Sequence, residues 1–256
     1  MEKELILTHG ELKIHCITTE PEDGDIRRVV LSVHGITGSA RDEIQVGIAE
    51  EMDMYYSATV RFDFPAHGES PMSDDYLTLD NCVESIKTVG AWIRETYPTV
   101  EDLCIFATGF GAYVTLIALQ DLQEMPGKLK LVVQTPPVRM HETLLAMKHM
   151  TRPTLEAMGK VRFFGKQRDL DVTFDFYREL EEHIALTTYP MPMLILHSDD
   201  NQYIRWHDIQ QFQRINEGSP LVVIPGTSHE FDEEGAWDMV LDLTRDWFEF
   251  EQVLLM

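Results

Sequence analysis

The stretch Leu103-Cys104-Ile105-Phe106-Ala107-Thr108-Gly109-Phe110-Gly111-Ala112-Tyr113 most constrains what this chain can fold into. An apolar, strand-like run ends abruptly in small residues, and an apolar helical run (Tyr113 to Leu122) begins at once. That is a tight strand–turn–helix unit, and the same alternation recurs on either side of it. Residues 3–8 and 12–18 read as a hairpin about His9-Gly10, followed by a turn around Pro21 to Gly24. Arg28 to Val33 is an almost unbroken apolar run, as expected of a parallel strand buried on both faces. A helix over 42–53, a strand from Ala58 to Phe64 and a helix from Leu79 to Tyr97 follow, the last with Val83, Ile86, Val89, Trp92 and Ile93 at helical spacing. Beyond the central unit come strands at Leu129 to Gln134, Met193 to His197 and Leu221 to Ile224. Helices are expected near 206–215 and from Glu234 to Phe250. The pattern predicts an α/β fold: a mostly parallel sheet with helices on both faces.

Residues 136–190 break this rhythm. They are Met-rich, begin with Pro136-Pro137, and read as helical to about Met158, with two short strands at Val161 to Phe164 and Val172 to Phe176. The expected organisation is therefore a core of 1–135 and 191–256 with an inserted lid, 136–190, over the carboxyl ends of the strands, where open α/β sheets bind ligands.

The chain has 256 residues, 44% of them hydrophobic, and a formal net charge of −23. Its length suits one domain with a substantial core. So acidic a chain repels phosphate backbones and anionic bilayers, so neither nucleic acid nor membrane is expected as a partner. Cys16, Cys82 and Cys104 are odd in number and far apart, which suggests buried thiols in a reducing compartment rather than disulfides or a zinc site. The amino terminus lacks a basic region leading into an apolar one, and no apolar run approaches the ~18 residues of a membrane span. The expected location is cytoplasmic. No cofactor or metal pattern is present and neither is expected; the oligomeric state is not legible.

Several motifs resemble the α/β-hydrolase superfamily, closest to the lidded bacterial cinnamoyl/feruloyl esterases and the serine-aminopeptidase-like hydrolases. His34-Gly35-Ile36-Thr37-Gly38 resembles the family's HGxxG oxyanion loop. Arg61-Phe62-Asp63-Phe64-Pro65-Ala66-His67-Gly68-Glu69-Ser70 resembles its R-F-D-x-x-G-H-G-x-S segment, with Ala66 where glycine is usual. The central turn resembles the G-x-S-x-G nucleophile elbow, with Ala107 in the first glycine's place and Gly111 in the second's. Pro192 to Ser198, then Ile204, resembles the stretch around the triad acid, and Gly226-Thr227-Ser228-His229-Glu230-Phe231 the loop around the triad histidine.

The resemblance implies a site with backbone amides of Ile36 and Phe110 as oxyanion donors and His229 as the base. Two positions depart from it. The nucleophile position holds Gly109, so no covalent acyl-enzyme can form there; Thr108 carries the nearest hydroxyl. The triad-acid position holds Asn201, whose amide accepts from an imidazole N–H but carries no charge; Asp200 is the candidate substitute. Glycine at the tip of an elbow takes a positive φ without strain.

Three readings follow: a ligand-binding pseudo-enzyme on an esterase scaffold; an active serine esterase whose residue 109 was replaced; or non-covalent chemistry with His229 as general base. The partner in each is a small-molecule ligand or ester substrate under the lid. Between Pro137 and Arg168 seven cations (Arg139, Lys148, Arg152, Lys160, Arg162, Lys166, Arg168) face two acids, Glu142 and Glu156, an excess that would suit a carboxylate-bearing ligand.

Overall fold

Side chains that alternate along the central strands feed two separate cores, and this double burial makes the sheet. In the computed structural model, which describes residues 1–22, 26–100, 102–119 and 128–250, strand β3 (Arg28–Val33) sends Val29, Leu31 and Val33 to one face and Val30 to the other. Strand β5 (Asp102–Thr108) sends Leu103, Ile105 and Ala107 one way and Cys104 and Phe106 the other. β6 (Lys128–Gln134) and β9 (Met193–Asp200) divide in the same manner. A two-residue period with both faces apolar requires cover on both sides. Helices α2 (Leu79–Thr96) and α3 (Gly109–Ala118) provide it on one face, α1 (Glu43–Asp53) and α8 (Ala236–Phe250) on the other.

The hairpin β1 (Glu2–His9) and β2 (Leu12–Thr19) is antiparallel, and β2 joins β4 (Ser57–Phe62) antiparallel. All later pairings are parallel, giving the order β1-β2-β4-β3-β5-β6-β9-β10, with β10 spanning Leu221–Ser228. Helix α7 (Trp206–Ile215) connects the last two strands. Among the described residues no helix is long and apolar enough to cross a membrane.

The chain between β6 and β9 forms α4 (Met140–Met147), α5 (Arg152–Met158), the separate hairpin β7 (Lys160–Phe163) and β8 (Leu170–Thr173), and α6 (Phe174–Glu182). Two expectations change here. The helical run to Met158 is two helices, broken where His149 takes a positive φ of 48° and restarted by the Thr151 side chain, which accepts from Thr154 N–H. The strand expected through Phe176 stops at Thr173, whose hydroxyl accepts from Phe176 N–H and so starts α6 instead. Other boundaries shift modestly: β4 ends at Phe62 rather than Phe64, while β9 and β10 run on to Asp200 and Ser228. The turn expected at Pro21 to Gly24 and the helical end expected at Leu122 lie partly outside the described residues.

The β5–α3 turn depends on two glycines for different reasons. Gly109 has φ +49°, and a Cβ built on it would meet only Gly35 Cα, at 3.9 Å. At Gly111 a Cβ would lie 2.4 Å from His34 O and 2.8 Å from Val33 O, so α3 seats on the end of β3 only because residue 111 has no side chain. Gly109→Ala should therefore cost about 1–2 kcal/mol, the strain of a left-handed conformation. Gly111→Ala should cost about 3 kcal/mol or more, because backbone must move. Urea melts of the two variants check the ranking, and equal losses would contradict it.

Candidate functional site

The carboxyl ends of β3, β5, β6 and β10 open into one cleft. It encloses about 100 Å³ and is lined by Gly35, Ile36, Thr108, Gly109, Phe110 and His229, among others. Met140, Thr143 and Met147 of α4, and Lys166 from the β7–β8 loop, close the opposite side. That loop lies against the loop after β3, with Lys166 N–H donating to Thr37 O at 3.3 Å.

The two backbone donors owe their directions to packing. Phe110 is the second residue of α3, so its N–H has no partner within the helix. Ile36 N–H is aimed by His34. Phe64 N–H donates to His34 Nε2 at 3.1 Å, which places the ring proton on Nδ1, 2.8 Å from Gly35 O. Gly38 N–H reaches the same carbonyl at 3.1 Å. In a planar trans peptide, C=O and N–H point opposite ways, so holding the Gly35 carbonyl turns Ile36 N–H away from these donors. Among the described residues nothing accepts from Ile36 N–H. Burial pushes the His34 pKa down and keeps the ring neutral. His67 lies between two carbonyls, with Nε2 2.8 Å from Ile36 O and Nδ1 2.8 Å from Pro65 O, and its single ring proton serves one of them.

His229 follows β10 directly. Asp199 fixes its approach by accepting from Gly226 N–H at 2.9 Å and Thr227 N–H at 3.0 Å, and Glu233 accepts from Ser228 N–H at 2.9 Å. The group against the imidazole is Asn201, with Nδ2 3.1 Å from His229 Nδ1 and 3.0 Å from Ser198 Oγ. Asn201 Oδ1 accepts from Tyr203 N–H at 3.1 Å and Ile204 N–H at 3.0 Å. Those backbone donors fix the amide: reversing it would set NH₂ against two N–H groups. Asn201 therefore donates to Nδ1, and the neutral ring carries its proton on Nε2. Burial lowers the His229 pKa to about 4, so neutral is its state at physiological pH.

Asp200, the candidate substitute acid, does not take this place. Its side chain is exposed, and its backbone pairs in register with Ser228. Thr108 lines the cleft from the extended position before the tip. Cys104 is fully buried in β5, where burial pushes its thiol up to about 12, so it supplies no thiolate.

The cation excess read from the sequence is largely met by acids outside the window counted. Lys160 Nζ and Arg162 Nε lie 2.6 and 2.8 Å from the Asp171 carboxylate, and Arg152 Nε lies 3.1 Å from Glu181. Lys166 is the cation that lines the cleft, together with Asp42, Glu43 and Glu230. Sequence reasoning missed Gln134, at the end of β6. It is 2% exposed, lines the cleft, and has no hydrogen-bond partner for Oε1. Its place one strand beyond the elbow, at a carboxyl end, was the available signal.

No family model and no curated protein sequence matches this chain. Solved structures do. Est1E from Butyrivibrio proteoclasticus, with ferulic acid bound, superposes with a TM-score of 0.78 at 18% identity, over 95% of this chain and 97% of that one. Alpha/beta hydrolase domain-containing protein 10 from mouse gives 0.73 at 15% identity, over 98% and 100%. The esterase Pf2001 from Pyrococcus furiosus gives 0.68 at 17% identity, over 98% and 91%. With a mostly parallel eight-stranded sheet, helices on both faces and a glycine-tipped turn after β5, the chain has the α/β-hydrolase fold.

Proposed function

We propose that this chain is an esterase-type scaffold that binds a small carboxylate- or ester-bearing molecule beneath residues 136–190 and does not hydrolyse it. The observation that carries this reading is the Asn201–His229 contact, with the amide held by two backbone N–H groups. A triad base needs a free lone pair on Nε2 and a charge behind Nδ1. His229 has a proton on the first and a neutral donor against the second. Gly109 supplies no nucleophile.

What remains is a set of donors. Ile36 N–H, Phe110 N–H and His229 Nε2–H can all give to one carbonyl or carboxylate group, and Gln134 Oε1 can accept from a ligand hydroxyl. Asp42, Glu43 and Glu230 disfavour a second anionic group, so the rest of the ligand is neutral. Met140 and Met147 offer it an adaptable apolar wall. The 136–190 segment acts as the lid of this site. Ferulic acid, bound in the Butyrivibrio structure, has this chemistry and is the first probe to use.

A second reading is favoured by the open space above Gly109, where a Cβ meets nothing closer than 3.9 Å: a serine at 109 would fit. It would still face an imidazole with the wrong tautomer. In the serine-protease triad, Asp→Asn lowers kcat by about 10⁴.

Purified protein given p-nitrophenyl acetate or methyl ferulate should show no burst and no turnover above buffer; clear turnover would overturn the proposal. Gly109→Ser should stay nearly inactive on its own, and Gly109→Ser with Asn201→Asp should exceed it by about 10⁴-fold. Equal activity in the two would remove Asn201 from the account.

Ferulate binding, followed by calorimetry, should be flat from pH 8 to 6, because a ring titrating near 4 stays neutral throughout; the window leaves out protonation of the ligand's own carboxylate and of Asp42 and Glu230, cleft carboxyls whose pKa values burial raises. A fully charged histidine donor would instead tighten binding as the pH falls through ~6.5. His229→Ala should weaken binding roughly 10- to 100-fold, the value of one hydrogen bond to a charged ligand.

A further inference from the structure

Outside the cleft, on the β1–β2 hairpin, three side chains converge that the function above does not use. Glu4 lies on β1, His15 on β2, and Glu69 in the loop after β4. We propose that His15 Nε2, Glu4 Oε2 and Glu69 Oε2 bind a zinc-type divalent cation, with water completing a tetrahedral shell.

The buried imidazole carries the argument. His15 is 5% exposed, and its Nδ1 lies 2.7 Å from Asp63 Oδ2. An ionised carboxylate only accepts, so Nδ1 holds a proton, and in the neutral ring Nε2 presents its lone pair. That lone pair has no hydrogen-bond partner. It faces Glu4 Oε2 at 3.5 Å and Glu69 Oε2 at 3.6 Å. A lone pair turned toward two anionic oxygens is repulsive unless a positive charge lies between them.

Distance separates the two ways of supplying that charge. A proton on Nε2 would draw a carboxylate oxygen to about 2.7–2.9 Å. Ligand atoms about 2.1 Å from a tetrahedral metal lie about 3.4 Å apart, close to the 3.5 and 3.6 Å between His15 Nε2 and the two carboxylate oxygens, and all three atoms lie within 4.8 Å of one another.

The surroundings are those of a prepared site. An imidazole whose second nitrogen donates to a carboxylate is the usual support for a metal-binding histidine, because it fixes the ring and raises its basicity. Asp63 is itself held by Ala40 N–H at 2.8 Å and Glu69 N–H at 3.1 Å. Arg41 binds the other oxygen of each glutamate, with Nε 2.8 Å from Glu69 Oε1 and an η-nitrogen on Glu4 Oε1. That leaves the Oε2 atoms turned toward His15. One imidazole with two carboxylates suits zinc; magnesium and calcium take all-oxygen shells. The sequence hid this group because its members are far apart along the chain and match no ligand spacing.

The test is calorimetric titration of the chelator-treated full chain with Zn²⁺ at neutral pH, with wild type beside the Glu4→Gln/Glu69→Gln double variant. Both glutamates are about half exposed, with side-chain accessibilities of 50% and 47%, so the metal-free melting temperature should not fall in the variant. One equivalent should bind wild type and raise its melting temperature, and the double variant should bind at least tenfold more weakly. Absence of saturable binding, or an affinity within tenfold of wild type in the variant, overturns the proposal. The second result would place the ion on other histidines, such as exposed His207.

Discussion

The seating of α3 on the end of β3 is the constraint from which the cleft follows. At Gly111 the helix approaches the Val33 and His34 carbonyls so closely that no Cβ fits between them. This contact fixes the helix N-terminus, with a Phe110 N–H that has no partner within the helix, beside the loop that begins at His34. His34 then sets the Gly35–Ile36 peptide, and with it the second donor. Both donors are therefore made by backbone and survive whatever stands at position 109.

The opposite wall of the cleft inverts the polarity of a hydrolytic site. In a working triad the histidine accepts from the nucleophile and is backed by a negative charge. Here the Asn201 amide, held by Tyr203 and Ile204 N–H, donates to the ring and pushes the proton to the far nitrogen. Burial without a compensating charge keeps the ring neutral. Ile36, Phe110 and His229 thus line one cleft, the first two with backbone N–H groups and the third with a ring whose Nδ1 is occupied by an amide donor. It is on this arrangement that the proposal of binding without hydrolysis rests.

Much of the fold was legible because its determinants are local. Strands β3, β5 and β6 are short apolar runs that only double burial explains, and the Gly109 turn is marked by the sudden change from bulky to small residues. The registers that set Asn201 and His229 side by side were legible only through resemblance. What stayed hidden depends on partners distant in sequence. Phe174 and Phe176 look like strand residues until the Thr173 cap makes them the first turn of α6. The cations after Pro137 look like a free patch until folding sets Asp171 and Glu181 against them. Asp200 could stand in for the acid on paper, but its side chain lies on the exposed end of β9. The tautomer of His229 had no sequence signal at all, since it is decided by two backbone N–H groups acting through an amide.

That tautomer is the most direct measure of the account. Nitrogen-15 NMR of the histidine ring, assigned to residue 229 by comparison with His229→Ala, reports which nitrogen holds the proton at neutral pH. A neutral ring with the proton on Nε2 and a bare Nδ1 accepting from Asn201 is the expected result. A proton on Nδ1 with Nε2 bare, the arrangement of a working base, would contradict it.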